Sequence, residues 1–150
     1  MAAEATKKRN DLALKNFEKK ILKHCGRNKN EKSLTIWGLS FKPNTDDMRD
    51  SSSLKMIPIL SKKGALIKYY DPTGSKKELE KIKNVSYVES IKKAVENADL
   101  VILHTEWNDF KSINFKNLVK GKKLIIYDMR NIYSPSKIKA QGFNYFSLGR

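Results

Sequence analysis

Two cations stand where strands should end: Lys42, directly after Phe41, and Arg130, two residues after Asp128. A flat ring beside a mobile ammonium suits the planar and phosphate parts of a nucleotide, and a guanidinium can take a phosphate through two parallel hydrogen bonds. The same residues also read as a surface lysine beside a core phenylalanine, and as a strand-end ion pair in which Asp128 holds the guanidinium. Spacing alone leaves both readings open. For Thr45, Asp46, Asp47 and Arg49 the structural reading is favoured, an ion-paired cap of a helix that Asp50 or one of Ser51, Ser52 and Ser53 starts. Trp107 at a strand end could stack on a base, but a tryptophan so placed more often covers core.

No catalytic constellation accompanies these residues. Cys25 follows a helical stretch, and helix-end carbonyls oppose the thiolate that a nucleophile requires, so it is read as non-catalytic. His24 and His104 have no partners visible in the sequence and are read as structural. A dinucleotide fold would need G-x-G-x-x-G after its first strand, where Gly38 stands alone. Asp71 lies well beyond the spacing of a ribose-binding acid and stands before Pro72, which marks a turn former. No NAD site is therefore expected in this chain, and no Cys/His cluster has the spacing of a zinc site.

The elements that must carry these loops follow from the apolar pattern. Short apolar runs predict strands over 34–39, 65–70, 85–88, 100–104, 123–127 and 143–146. Helical patterns lie between them at 53–63, 76–82, 90–97 and 136–140, with a broken segment over 109–119. This alternation predicts a Rossmann-like, doubly wound α/β fold with a mainly parallel sheet and helices on both faces. In such sheets ligands bind beyond the carboxyl ends of the strands, near the reversal of strand order, so the first, fourth and fifth loops become neighbours. Lys42 and Arg130 would then face one crevice. Ahead of the sheet, residues 5–24 carry Leu14, Phe17 and Ile21 at helical spacing and stop at Cys25 and Gly26, followed by a polar linker over 27–32. The stripe of that helix needs cover, from a neighbouring domain or a second copy.

Composition sets the outer limits. A chain of 150 residues with 39% apolar content supports one core without staples, and one cysteine excludes an internal disulfide and suits a reducing, cytoplasmic setting. Apolar runs of four or five residues are too short for a membrane span, and the N-terminal residues do not form a signal peptide. The formal charge of +15 is scattered, with ten basic and four acidic residues in 1–32, and reads as a solvated surface with no nucleic-acid patch.

The loops themselves carry a resemblance. Residues 38–49, Tyr70-Asp71-Pro72, Thr105-Glu106-Trp107, the run 128–133, Gly142-Phe143 and Gly149-Arg150 resemble, in order, the C-terminal domain of UDP-glucose 6-dehydrogenases. The resemblance divides the chain at 1–30, the end of a connecting and dimerisation helix with its linker, and 31–150, a UDP-sugar-binding domain. It implies an enzyme that oxidises the sugar C6 alcohol of UDP-glucose to the carboxylate of UDP-glucuronate while two NAD molecules are reduced. It also implies that NAD and the covalent cysteine belong to an N-terminal dehydrogenase domain, so that this portion alone is inactive, and that the full enzyme is a homodimer. Phe41, Lys42 and Arg130 match family positions that contact the UDP-sugar. Relatives acting on GDP-mannose or UDP-N-acetylmannosamine share the 41–49 loop pattern. The Thr105-Glu106-Trp107 and 128–133 motifs lean towards the UDP-glucose branch. A stand-alone nucleotide-binding module is the other reading.

Overall fold

The computed structural model describes residues 2–25, 33–120 and 123–148. Gly26, the linker over 27–32, the boundary drawn through it and the Gly149-Arg150 pair lie outside the described residues, as do the side chains of Leu14, His24 and Cys25.

Six strands form one sheet: β1 (Ser33–Trp37), β2 (Leu66–Tyr70), β3 (Val85–Tyr87), β4 (Leu100–Leu103), β5 (Ile125–Asp128) and β6 (Asn144–Ser147). Their order is β3-β2-β1-β4-β5-β6 and every pair is parallel. This is the doubly wound order expected from the alternation, with the reversal between β1 and β4. The register sets Leu34 beside Ile67 on one side and Leu100 on the other. Leu34, Thr35, Ile36 and Trp37 are all buried, and so is every residue of β4, because helices cover both faces of a parallel sheet.

The two faces hold separate cores. On one, Ile36, Ile67, Ile102 and Tyr127 pack with Met56, Ile57 and Leu60 of α2 (Ser53–Lys62). On the other, Trp37, Val101, Leu103 and Ile126 meet α3 (Ile91–Val95), α4 (Asn108–Lys111), α5 (Phe115–Val119) and α6 (Pro135–Ala140) through Val95, Phe110, Phe115 and Ile138. The Trp37 and Phe115 rings lie parallel with centroids 5.5 Å apart.

Helix α1 (Ala2–Cys25) changes one expectation. Its Phe17 and Ile21 are buried in this chain's own core, and the Phe17 ring stands edge-on to Tyr127 at 4.9 Å. The crossovers around β4 to β6 lie on the opposite face, which leaves Tyr127 in need of cover. Neither a neighbouring domain nor a second copy is required for these two residues. Leu12, farther up the helix, is exposed.

The helix expected over 76–82 is only a 3-10 turn, Lys77–Leu79. Lys76 is extended there and its N–H donates to the Tyr69 hydroxyl at 2.9 Å, and within the turn only Leu79 is buried. One buried side chain offers a helix too little packing to offset its ordering cost. The segment over 109–119 is broken as expected, with Asn114 capping α5 through a bond from the Asn117 N–H at 3.2 Å. No helix among the described residues is long and apolar enough to cross a membrane.

Candidate functional site

The chain leaves β1 through Gly38, whose φ of +78° belongs to the left-handed region. A Cβ there would stand 2.6 Å from the Thr105 Cβ, so the first and fourth loops can meet this closely only at glycine. From that point side chains of other segments fix the loop. Asp71, buried at the end of β2, accepts the Leu39 N–H at 2.8 Å. Ser51 and Ser53, where α2 begins, donate their hydroxyls to the Leu39 carbonyl, the Ser53 bond being 2.7 Å. Thr105 donates to the Ser40 carbonyl at 2.7 Å, and Ser40 closes the tip by donating to the Lys42 carbonyl at 2.8 Å.

The anchored loop lifts two side chains into solvent. Phe41 is 55% exposed, which removes the core-phenylalanine reading, and Lys42 beside it is exposed too. They line an open cleft of about 200 Å³ with Thr45, Asp47, Arg49 and Asp50. Asp47 and Arg49 pair there, with the guanidinium Nε at 3.0 Å from Oδ1 and Nη2 at 2.8 Å from Oδ2. The bond from the Arg49 guanidinium, and next that from its main-chain N–H, hold the Asp47 carboxyl down at about 2, with the Lys42 charge adding to the effect. The expected ion pair is therefore present, but it lines the cleft and caps no helix. The residue before α2 is Ser52, whose hydroxyl makes no capping bond.

Arg130 does not line this cleft, but from the end of β5 it reaches the first loop beside it. Its Nε donates to the His104 carbonyl at 2.8 Å and its Nη2 to the Phe41 carbonyl at 2.9 Å. The guanidinium thus bridges the fourth and first loops and sits against the residue preceding Lys42. Phe41, Lys42 and Arg130 are brought to one edge of the molecule, and these two bonds use two of the guanidinium's five donors. The pairing expected between Asp128 and this guanidinium is not formed. Asp128 is wholly buried and accepts from the N–H groups of Arg130 and Tyr133, each at 3.0 Å, and from the Tyr145 hydroxyl at 2.6 Å. A carboxylate without solvent needs several donors, and the turn's own N–H groups lie nearer than the arginine's long side chain can fold back.

Asp71 is the turn former expected, with Oδ1 taking the Thr73 N–H at 2.8 Å and the Thr73 hydroxyl at 2.6 Å. Its other oxygen holds Leu39, so neither faces the crevice, and the residue does not fit the ribose-binding role in a dinucleotide site. Trp107 is buried in the core of the second face, as its structural reading required. His104 is fully buried and does have partners, Ser52 and Thr105. Their hydroxyls, and the anchoring role of Ser51 and Ser53, had no signal in the sequence beyond a serine triplet after a strand-end loop.

A six-stranded parallel sheet reversing between β1 and β4, with two cations gathered at that reversal, defines a doubly wound, Rossmann-like α/β domain with its open cleft at the switch point. The model of the UDP-glucose/GDP-mannose dehydrogenase family, UDP binding domain, matches residues 35–135, and the chain belongs to this family. A UDP-glucose 6-dehydrogenase of Rhizobium meliloti is 33% identical over 98% of this chain and 34% of its own length. One from Rickettsia prowazekii is 36% identical over 95% of this chain and 33% of its own length. Among solved structures, the UDP-D-ManNAc dehydrogenase from Pyrococcus horikoshii superposes with a TM-score of 0.66 at 30% identity, over 86% of this chain and 28% of that one. The chain spans about a third of the length of these curated relatives.

Proposed function

We propose that this chain is the nucleotide-sugar clamp of a UDP-glucose 6-dehydrogenase. Phe41 would lie against the uracil or ribose, and Lys42 and Arg130 would take the diphosphate from two sides. The observation that supports this reading is the Arg130 guanidinium seated on the carbonyl of Phe41, the exposed residue that precedes Lys42. A diphosphate oxygen is a stronger acceptor than a neutral carbonyl, so the remaining guanidinium donors can engage it in a charge-assisted, bidentate bond.

In the whole enzyme the chain would work with a dehydrogenase domain that supplies NAD and the covalent cysteine, in a homodimer, and would oxidise UDP-glucose to UDP-glucuronate. The third of the relatives' length that this chain spans supports that division. By itself the chain would bind and not oxidise. UDP-glucose is favoured over UDP-N-acetylmannosamine by the curated relatives' names and by Thr105-Glu106-Trp107, while the likeness to the Pyrococcus horikoshii protein makes the second sugar the competitor to test.

Two charge-assisted contacts, offset by ordering costs, suggest a dissociation constant near the millimolar level, about −4 kcal/mol. Calorimetry with UDP should give measurable heat for the wild type and much less for Lys42→Ala or Arg130→Ala. Equal heats in all three would remove the site. The same titration with UDP-glucose and UDP-N-acetylmannosamine ranks the sugars.

A further inference from the structure

His104 does not line the cleft, yet it bonds the start of α2, the fourth loop and Arg130. Its Nε2 is 2.8 Å from the Ser52 hydroxyl and its Nδ1 3.1 Å from the Thr105 hydroxyl. Thr105 gives its one hydroxyl proton to the Ser40 carbonyl, so it can only accept from the imidazole. A proton on Nδ1, with Nε2 accepting from Ser52, satisfies both hydroxyls, and the Gly38 carbonyl is a further acceptor for the ring N–H. The bonds then run in one direction, from Ser52 through His104 and Thr105 to Ser40. Burial, and next the Arg130 charge, push the imidazole down to about 3, which keeps it neutral and preserves that direction at pH 7. The carbonyl of the same residue receives Arg130 Nε.

We propose that His104 is a positioning residue for the nucleotide clamp: through Thr105 it holds Ser40 and the Phe41–Lys42 tip, and through its own carbonyl it aims the Arg130 guanidinium. The inference rests on the nucleotide reading of that site. A side chain chosen only to fill the core would leave the Thr105 hydroxyl without a donor and the Ser52 hydroxyl without its acceptor. The first and fourth loops would then keep their volume and lose their register.

The test uses the chain with three variants, His104→Leu, His104→Asn and Ser52→Ala. UDP and uridine are titrated by calorimetry, and the Arg130 Nε–H resonance is followed by NMR without ligand. The asparagine amide can restore a donor near the Nδ1 position, whereas leucine cannot. Expected for His104→Leu is about a ten-fold loss of UDP affinity, a smaller loss for uridine, which meets Phe41 but neither cation, and a shifted, faster-exchanging Arg130 Nε–H. In His104→Asn the UDP affinity and the resonance should return most of the way. Ser52→Ala, on a partly exposed hydroxyl, should lose about two- to three-fold for UDP and decides the matter if His104→Leu does not fold. UDP affinity and Arg130 resonance unchanged in the folded variants would overturn the proposal, as would equal losses for UDP and uridine. Should the wild type bind no UDP, the nucleotide reading falls; the resonance alone then decides whether His104 positions Arg130.

Discussion

The turns after β2 and β5 begin alike, with a buried aspartate whose carboxylate gathers main-chain N–H groups and hydroxyls, and they end in opposite ways. After β2 the nearby cation folds back. Lys76 is 4% exposed, stands 3.7 Å from Asp71 and donates to Thr73. After β5 the cation turns outward: Asp128 takes the main-chain N–H groups of Arg130 and Tyr133 and the Tyr145 hydroxyl, while the Arg130 guanidinium crosses to the first loop. An acid at a strand end is thus no sign of ligand binding or of an ion pair. What marks the proposed site is a cation whose guanidinium its neighbouring acid does not take, held by uncharged carbonyls at the reversal of strand order.

Removing each acid should separate these designs. Asp71→Ala strips the buried Lys76 ammonium of its counter-charge and frees the Leu39 N–H, and should cost about 4 kcal/mol in chemical denaturation. The companion Asp71→Ala/Lys76→Met should recover much of this, because no buried charge is left over; no recovery would mean that the loop anchor, and not the pair, carries the cost. Asp128→Asn keeps the shape and leaves its cation in place, so about 2 kcal/mol is expected, with a smaller fractional loss of UDP affinity than Arg130→Ala produces.

The neutral His104 adds a pH signature. Its folded value lies below that of the unfolded chain, so the unfolded state binds the extra proton and stability falls as pH drops from about 6.5 towards 3. Between pH 6 and 5 the contribution approaches about 1.4 kcal/mol per pH unit. Denaturation curves of wild type and His104→Asn should diverge in slope over that window and run parallel above pH 7.5. A common slope throughout would show that His104 titrates normally. The smallest effect is expected at the exposed Asp47 and Arg49 pair, where Arg49→Ala should leave the melting temperature unchanged within error and alter only the salt dependence of UDP binding.

Much of this architecture could be read before folding. Apolar runs bounded by turn residues located all six strands, and the interval between them required crossovers and a parallel sheet. Strand ends then located Phe41, Lys42 and Arg130, since ligand sites of open sheets fall there. The structure departs from these expectations at side chains whose partner is not the one that spacing suggests. Proximity pairs Asp128 with the Arg130 guanidinium, but Tyr145, 17 residues on, competes for it. His104 shows no partner in the sequence because Ser52 lies 52 residues away and adjacency to Thr105 does not reveal a bond. Spacing puts Lys76 in a helix, whereas the Tyr69 hydroxyl and the Asp71 carboxylate draw it into the turn.

The linear chain by itself determined the periodicity, hence the sheet, its helices and the rim on which chemistry could sit, because burial of alternating or continuous apolar residues is a local pattern. Tertiary structure alone decided which cation faces outward, which aspartates are anchors, and that α1 covers Tyr127 of its own sheet. Those outcomes depend on which donors and apolar surfaces converge once water is excluded, and convergence of segments tens of residues apart leaves no trace in local spacing.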